Sequence, residues 1–334
     1  MIPIEQKNNI IDDVSENIKT TRETCIIVPS HINNINRTKL LICCLKSLIN
    51  QSKKIQIYLS ISFETDLDET LFKKLVEKNN LLNNTLLCII YQETQTSQFR
   101  HIEKVINNIK HIYKYIMFCD DDDTYENFRV EKFISMIECG ISNCTKDKIF
   151  AGVYERDLEK GSHSSSFYEY WSYCVNIEVI INFMNIIKNN NYDYYIDNKM
   201  CDVLFATYLR CLDNKHFFVS VYEKLYNYNR NQYSITQKIL KKNDSTTKII
   251  LEKVNNFEIF IEEMNNHLEK NFEDIKTNIF IMYSMGKNSF ENILKEILKK
   301  NYKYKNEISK KILKQIKNEY DNIKCLCDIL YQYK

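Results

Sequence analysis

Residues 24–51 read TCIIVPSHINNINRTKLLICCLKSLINQ, and the type of fold can be argued outward from this stretch. Its first seven residues, TCIIVPS, form an apolar run that ends at Pro29, which predicts a buried strand of a parallel sheet. The following RTKLLICCLKSLINQ predicts an amphipathic helix, because its apolar residues share one helical face: Leu41, Cys44, Leu45 and Leu48. A strand followed directly by a helix is the repeating unit of α/β sheets.

The same alternation continues along the next 70 residues. Further strands are predicted for KIQIYLSISF (54–63), TLLCIIY (85–91) and YIMFC (115–119), and helices for ETLFKKLVEKNNLL (69–82) and the segment around residues 99–109. Later, strands are predicted for IFAGVYE (149–155), FYEYWSYCVNIEVI (167–180) and HFFVSVYEKLYNYNR (216–230), and a helix for CDVLFATYLRCL (201–212). This pattern predicts an α/β fold with a mostly parallel central sheet flanked by helices.

Four consecutive aspartates follow the fourth predicted strand directly. Ligands of open α/β sheets bind at the carboxyl ends of the strands, which is where these carboxylates fall. Because alternate residues of an extended segment project to the same side, Asp120 and Asp122 can reach one divalent ion while Asp121 points elsewhere. The alternative is an acidic surface loop in which Asp123 or Thr124 caps the next helix.

Composition limits the class of protein. The chain has 334 residues, of which 44% are hydrophobic, and its 46 basic residues nearly balance 44 acidic ones. A whole-chain charge of this size gives no indication of nucleic-acid binding. The 12 cysteines lack zinc-site spacing and predict reduced thiols. With no signal-like start and no run near the roughly 18 apolar residues of a membrane span, a soluble cytoplasmic protein is expected.

Three parts are predicted along the chain: a loose leader (1–22), an α/β domain (23–238) and a lysine-rich and glutamate-rich helical region (239–334). Within the last part, the basic helical stretch 295–317 is predicted either to contact a membrane surface or partner, or to pack with its lysines in solvent. A homo-oligomer is also possible.

Four segments in this order resemble the family 2 glycosyltransferases of the GT-A fold. They are IIVPSHINNINRTKLLICCLKSLINQS (26–52), YIMFCDDDDTYENFRVEKF (115–133), CDVLFATYLRCL (201–212) and EKLYNYNRNQYSIT (223–236). The resemblance covers about residues 24–236. It implies a metal-dependent, inverting transfer of a sugar from a nucleotide-diphosphate sugar, with a UDP-sugar favoured, to a glycan, protein or other hydroxyl acceptor.

The resemblance also implies roles for individual residues. Asp120 and Asp122 correspond to the family's Asp-x-Asp motif, which holds Mn²⁺ or Mg²⁺, and Asp202 corresponds to its catalytic base. Trp171 and Arg230 are candidates for contact with the sugars, and core packing is the alternative for Trp171. Contacts with the nucleotide are expected from Pro29, Ser30, His31, Glu64, Asp66, Arg100 and Asp121.

The sequence departs from the family pattern at two of these motifs. Cys201 stands where a glutamate precedes the base, and Asn231 stands where a histidine often closes the last motif. These departures favour, as an alternative, a GT-A-fold protein that binds sugar nucleotides without turnover. A sugar nucleotidyltransferase is a further alternative, but such enzymes carry a glycine-rich phosphate loop and VPSHINNINR (28–37) has no glycine.

Overall fold

The computed structural model describes residues 23–145, 147–156, 169–198, 201–212, 215–229, 272–273, 276, 279–280 and 310–331. The predicted leader, the predicted boundary at 238 and most of the predicted helical region lie outside these residues. The strands are β1 Thr24–Ile32, β2 Gln56–Phe63, β3 Leu87–Tyr91, β4 Tyr115–Phe118, β5 Thr124–Tyr125, β6 Ile149–Glu155, β7 Tyr173–Asn176, β8 His216–Val221 and β9 Tyr226–Asn227. The helices are α1 Ile35–Ile49, α2 Asp66–Lys78, α3 Gln98–Ile109, α4 Arg129–Ser142, α5 Ile177–Asn189, α6 Cys201–Arg210 and α7 Lys310–Tyr331, with 3₁₀ turns at Tyr170–Ser172 and Asp193–Asp197.

Seven strands form the central sheet in the order β3-β2-β1-β4-β7-β6-β8, and β5 pairs separately with β9. The pairs that β1 makes with β2 and β4 are parallel, as are β2 with β3 and β6 with β8. β7 alone in this sheet runs antiparallel to its two neighbours. The predicted fold class, a mostly parallel sheet flanked by helices, is therefore confirmed.

Both faces of β1 are buried, which explains why its sequence is an unbroken apolar run. Cys25 and Ile27 pack into one core with α3, α5 and α6, while Ile26 and Val28 pack into the other core with α1 and α2. The predicted apolar face of α1 is buried in this second core. The sheet is thus covered by helices on both sides.

The first strand is longer than predicted. β1 continues through Pro29 to Ile32 and stays paired with β2. Proline is tolerated here because of its position: the carbonyl of Ile27 accepts the amide of Cys119 on the β4 side, and β4 ends its pairing at that level. Pro29, two residues further on, faces the same side, so its missing N–H costs the sheet no hydrogen bond.

The prediction of one strand for residues 167–180 was wrong in part. Only Tyr173–Asn176 is a strand, and helix α5 begins at Ile177. The side chain of Asn176 caps this helix by accepting the amide of Glu178. Its buried residues recur at helical spacing: Ile177, Ile180, Phe183, Met184 and Ile187. The β-branched residues Ile177, Val179 and Ile180, which end the predicted strand, favour a strand locally.

The late strand predicted for residues 216–230 is split into β8 and the short β9. Near the C-terminal end, α7 confirms a helix within the predicted helical region. Its inward side chains join the core that contains α5, among them Ile316, Ile323 and Leu330. No helix in the described ranges is both long and apolar enough to cross a membrane.

Candidate active site

The four aspartates lie where β4 ends, beside β1. The chain order runs outward from β1 through β2 to β3 and then returns to β4 on the other flank of β1, which makes this position the topological switch point of the sheet. The loop turns at once, because the amide of Asp123 donates to the carbonyl of Asp120 at 3.1 Å. The four carboxylates are consequently crowded into one tight turn, and each has a different environment.

Asp121 is the most fully paired of the four. It is only 1% exposed, and it accepts hydrogen bonds from Ser30 Oγ at 2.6 Å and from Arg37 Nε at 3.1 Å. A second Arg37 nitrogen, Nη2, donates to its other oxygen, so the pair is bidentate. Asp121 is the main cause that raises the pKa of Arg37. Ser30 and Asp121, both predicted to contact a nucleotide, thus contact each other.

Asp123 is also buried and is held by the segment around β9. Tyr226 donates its hydroxyl to Asp123 Oδ2 at 2.7 Å, and the amide of Asn229 donates to Oδ1 at 2.7 Å. Burial nevertheless raises the pKa of Asp123 to about 7, with Asp122 and Asp121 adding to the rise. The Tyr226 oxygen in turn accepts the amide of Asp120 at 3.1 Å, which fixes the start of the turn.

Asp120 and Asp122 are held differently from Asp121. Asp120 Oδ1 accepts from Gln98 Nε2 at 2.9 Å and from the hydroxyl of Tyr170. Burial raises the pKa of Asp120 well above its ordinary value, and Asp123, Asp122 and Asp202 raise it further. Asp122 Oδ2 lies 3.6 Å from Arg37 Nη1, a longer ion pair than that of Asp121.

Asp202 lies in the first turn of α6, close enough to Asp120 to affect its titration. Its Oδ1 is buried and has no hydrogen-bond partner among the described residues. Burial, and after it the charge of Glu169, raises the pKa of Asp202 to about 7. A carboxylate that has one unpartnered oxygen and titrates near neutrality can accept a proton from a substrate hydroxyl.

These residues fit a divalent cation. An ion between Asp120 and Asp122 would offset the repulsion that raises the pKa of Asp120. Within the described ranges, no group of three or more histidine, cysteine, aspartate or glutamate side chains could hold a metal ion. A two-carboxylate site suits Mg²⁺ or Mn²⁺, which keep water ligands and complete their coordination with substrate phosphates.

The ends of β1 and β2 bring together two of the predicted nucleotide contacts. His31 Nε2 lies 3.0 Å from Glu64 Oε2, and His31 Nδ1 lies 2.9 Å from Ser62 Oγ. Pro29 and Ser30 precede His31 on the same strand and contribute to the same sheet edge. Asp66 is exposed in the first turn of α2, where an acidic residue stabilises the helix dipole.

Arg100 has partners other than the predicted phosphate. Its guanidinium contacts Asp193 Oδ2 at 2.6 Å, Asp197 Oδ1 at 3.0 Å and Glu103 Oε2 at 2.9 Å. These contacts join α3 to the 3₁₀ turn that precedes α6. The geometry therefore gives Arg100 a structural role in holding the segment before Asp202.

Trp171 is part of an aromatic stack next to the aspartate turn. Its ring lies 4.0 Å from the ring of Tyr226 at an interplanar angle of 15°, and 5.9 Å from that of Tyr228 at 12°. Its carbonyl accepts a hydrogen bond from the fully buried Arg129 at 2.9 Å. Tyr228 is 45% exposed, so the stack extends from the core to the surface. Arg230 and Asn231 lie outside the described residues.

Four residues that hold the aspartates were not predicted from the sequence: Arg37, Gln98, Tyr170 and Tyr226. Arg37 lies in the first turn of α1, where a cation facing the acidic turn after the neighbouring parallel strand β4 could have indicated a pair. The sequence assigned no role to the other three. Their partners are 22 to 106 residues away, so local patterns carry no signal for them.

A separate cavity of about 400 Å³ lies between α5, α6 and α7. Four asparagines of the α5 region line it, together with Tyr208, His216 and Ile329. None of its lining residues belongs to the aspartate turn.

No family model matches the chain, and no curated protein does. Among solved structures, it is similar to residues 1–349 of S. aureus TarS in complex with UDP, with 15% identity, a TM-score of 0.43 and coverage of 90% of each chain. A second structure of S. aureus TarS, with a longer chain, gives 14% identity and a TM-score of 0.43, and the match covers 93% of this chain but only 55% of that one. The mannosyltransferase PcManGT from Pyrobaculum calidifontis, in complex with GDP-Man and Mn²⁺, gives 8% identity, a TM-score of 0.39 and coverage of 93% and 87%. At these values the similarity concerns the path of the chain alone.

Fold and site together define an α/β protein with an acidic turn at the switch point of its sheet and, beside it, Asp202, whose buried Oδ1 has no partner among the described residues.

Proposed function

We propose that the chain is a metal-dependent, inverting glycosyltransferase that moves a sugar from a nucleotide-diphosphate sugar, with a UDP-sugar favoured, to an acceptor hydroxyl. The observation that carries the proposal is the meeting of Asp120, Asp122 and Asp202 at the switch point. One pair of carboxylates fits a cation, and the third has a buried oxygen without a partner. These two roles, cation binding and proton acceptance, match a reaction that needs both charge neutralisation and proton removal.

Asp202 is the proposed catalytic base. Its carboxylate would accept the proton of the acceptor hydroxyl as that oxygen attacks the anomeric carbon from the face opposite the leaving group, which inverts the configuration. Its pKa of about 7 leaves it largely ionised slightly above neutral pH and still basic enough to take a proton. Its half-buried position limits competition from water.

Asp120 and Asp122 are the proposed ligands of Mn²⁺ or Mg²⁺. When bound, the ion would neutralise negative charge on the donor's diphosphate as the nucleoside diphosphate leaves. The chain itself orients these ligands: Gln98 and Tyr170 fix Asp120, and Arg37 lies beside Asp122. The nucleoside is proposed to lie along the edge formed by Pro29, Ser30, His31 and Glu64.

Binding without turnover is the second candidate function, and one observation favours it. Cys201 stands where the resembling family has a glutamate, and its side chain is 1% exposed in the core. This buried thiol carries none of the carboxylate chemistry that a glutamate would supply. A protein of this kind would bind the sugar nucleotide and the metal but would leave the glycosidic bond intact.

A thermal-shift and hydrolysis screen separates these candidates. UDP-, GDP-, dTDP- and CMP-sugars are tested with Mn²⁺ or Mg²⁺ on the wild type, Asp120→Asn/Asp122→Asn, Asp202→Asn and the surface control Asp147→Asn. We expect one nucleotide class to stabilise the wild type and the control only with metal, the double variant to lose this effect, and Asp202→Asn to bind without turnover. Stabilisation that ignores metal and all three aspartates would refute the proposal, and binding by the wild type without turnover would favour the second candidate.

A further inference from the structure

A hydrogen-bonded chain runs inward from the nucleoside edge of the proposed site. At its outer end, Glu64 is 53% exposed and its Oε2 contacts His31 Nε2. The second ring nitrogen of His31, Nδ1, contacts Ser62 Oγ, and Ser62 is fully buried. Ser62 Oγ in turn lies 3.1 Å from Nε2 of a second histidine, His101.

The inner half of the chain is buried under α3. His101 is 1% exposed, and its Nδ1 lies 2.8 Å from Ser60 Oγ. Ser60 Oγ accepts from Gln92 Nε2 at 3.0 Å, and Gln92 Oε1 accepts from Lys104 Nζ at 2.6 Å. This chain of hydrogen bonds therefore begins at a cation, Lys104, and ends at the carboxylate of Glu64.

The cation fixes the direction of the inner bonds. Lys104 can only donate, so Gln92 presents its oxygen to Lys104 and its amide nitrogen to Ser60. The buried Ser60 hydroxyl already accepts from Gln92, and its own hydrogen has one acceptor within the described contacts, which is His101 Nδ1. His101 then carries its proton on Nε2. Burial, with smaller contributions from Lys104 and His31, lowers the pKa of His101 to about 3 and keeps the ring neutral.

The outer bonds follow from the inner ones. His101 Nε2–H donates to Ser62 Oγ, so the Ser62 hydrogen is free to donate to His31 Nδ1. His31 then carries its proton on Nε2, where it donates to the carboxylate of Glu64. Each ring and hydroxyl hydrogen from Ser60 to His31 has an acceptor in this arrangement. A proton on His31 Nδ1 would instead leave one serine hydrogen, that of Ser62 or of Ser60, without an acceptor along the path.

We propose that His101 is a positioning residue that acts through Ser62 to hold the proton of His31 on Nε2, and so fixes Glu64 as a hydrogen-bond acceptor for the nucleoside of the donor. The link to the nucleoside rests on the proposed function, whereas the fixed tautomer does not. Glu64 Oε1 has no partner within the described contacts and is available for an N–H or O–H group of the ligand. The charged and titratable groups along this hydrogen-bonded path are Glu64, His31, His101 and Lys104.

Histidine NMR tests the tautomer without any ligand. Two-bond ¹H–¹⁵N correlations are recorded at pH 7 on the full-length chain labelled with ¹⁵N-histidine, and His31 is assigned by His31→Gln. We expect a protonated Nε2 and an unprotonated Nδ1 in the wild type. His101→Leu removes the donor to Ser62, so Ser62 no longer has to donate to His31 and a share of His31 with its proton on Nδ1 should appear.

Three further variants sharpen this measurement. His101→Gln keeps an N–H donor toward Ser62 and should restore the wild-type pattern, and the exposed His111→Gln should leave it unchanged. Ser62→Ala breaks the same chain one step further out and replaces His101→Leu if that variant fails to fold. Signals of His31 that stay unchanged in both disrupting variants, or a wild-type proton on Nδ1, would overturn the proposal.

Titration calorimetry with UDP and with GDP, each with Mn²⁺, tests the link to the nucleoside. Loss of a fixed acceptor should weaken the better of the two ligands about tenfold in the disrupting variants, which is the effect of losing about one hydrogen bond, and His101→Gln should recover most of it. Equal affinity in all variants would overturn the role assigned to His101. Wild-type protein that binds neither nucleotide but shows the fixed tautomer would refute the proposed function and the nucleoside link, and would leave the tautomer assignment standing.

Discussion

Replacing Asp202 by asparagine should make the protein less active and more stable at the same time. The pKa of Asp202 rises from an ordinary 3.8 to about 7 on folding, chiefly through burial and then through Glu169. The folded state therefore binds this proton more tightly than the unfolded state does. The favourable contribution of this proton to the free energy of unfolding is fully present below about pH 4 and is lost as the pH rises to about 7.

The size of the effect follows from the shift. At about 1.4 kcal/mol for each pKa unit, the ionised carboxylate lowers the free energy of unfolding at pH 8 by an amount on the order of 4 kcal/mol, an upper bound because the residue is partly solvated. Asp202→Asn removes the charge and should raise the free energy of unfolding at pH 8 by up to this amount. At pH 4 the two proteins should differ little. The rate of sugar transfer should fall by about 10²- to 10⁴-fold in Asp202→Asn, which is the usual contribution of a general base.

Urea unfolding at pH 4 and pH 8 in the presence of a chelator measures the stability, and sugar-nucleotide turnover with metal measures the activity. Asp193→Asn is the matched control, because Arg100 lowers the pKa of Asp193 and the same substitution there should reduce stability at pH 8. If both variants lose stability at pH 8, the environment assigned to Asp202 is incorrect. If Asp202→Asn keeps full turnover, Asp202 is not the base.

Four further substitutions, at three positions, test the architecture of the site and of the sheet. Arg37→Lys should weaken metal-dependent stabilisation and lower the free energy of unfolding by about 1–3 kcal/mol, because lysine cannot form the bidentate pair. Arg37→Met removes the cation altogether and should lower the free energy of unfolding further, with both variants measured by urea unfolding. Tyr226→Phe should cost about 1–3 kcal/mol, because it leaves two buried partners of its hydroxyl unpaired, and equal unfolding midpoints would contradict this. Gly152→Ala should cost more than about 3 kcal/mol, since φ is +144° and a Cβ would lie 2.0 Å from a carbonyl oxygen of β7; a wild-type melting temperature would contradict it.

The sequence predicts best where one physical effect dominates. β1 and α1 were predicted because burial on both faces of a strand and on one face of a helix leaves a direct pattern in the residues. α5 was missed because its isoleucines favour a strand locally, while packing into the core and the cap at Asn176 decide for a helix. In α5, tertiary contacts therefore outweigh local propensity.

The site shows the same division. The position of the acidic turn followed from the end of β4, a local feature. What each aspartate contacts did not follow, because the partners come from distant parts of the chain: Arg37 lies 84 residues from Asp121, and Tyr226 lies 103 from Asp123. His101 likewise had no visible pattern beyond one histidine on a helix, and its partners Ser60 and Ser62 are 41 and 39 residues away.

Four adjacent aspartates are tolerated because the fold offsets their charges to different degrees. Asp121 is neutralised by the bidentate pair with Arg37, and Asp123 accepts two hydrogen bonds and titrates near neutral pH. Asp122 makes the longer ion pair with Arg37, and burial makes the charge of Asp120 unfavourable although two side chains donate to it. Folding without a cation therefore leaves electrostatic free energy that an ion can recover on binding. On this argument Asp120 and Asp122 are the two carboxylates that hold the proposed metal, because Asp121 and Asp123 are already engaged in short hydrogen bonds within the protein.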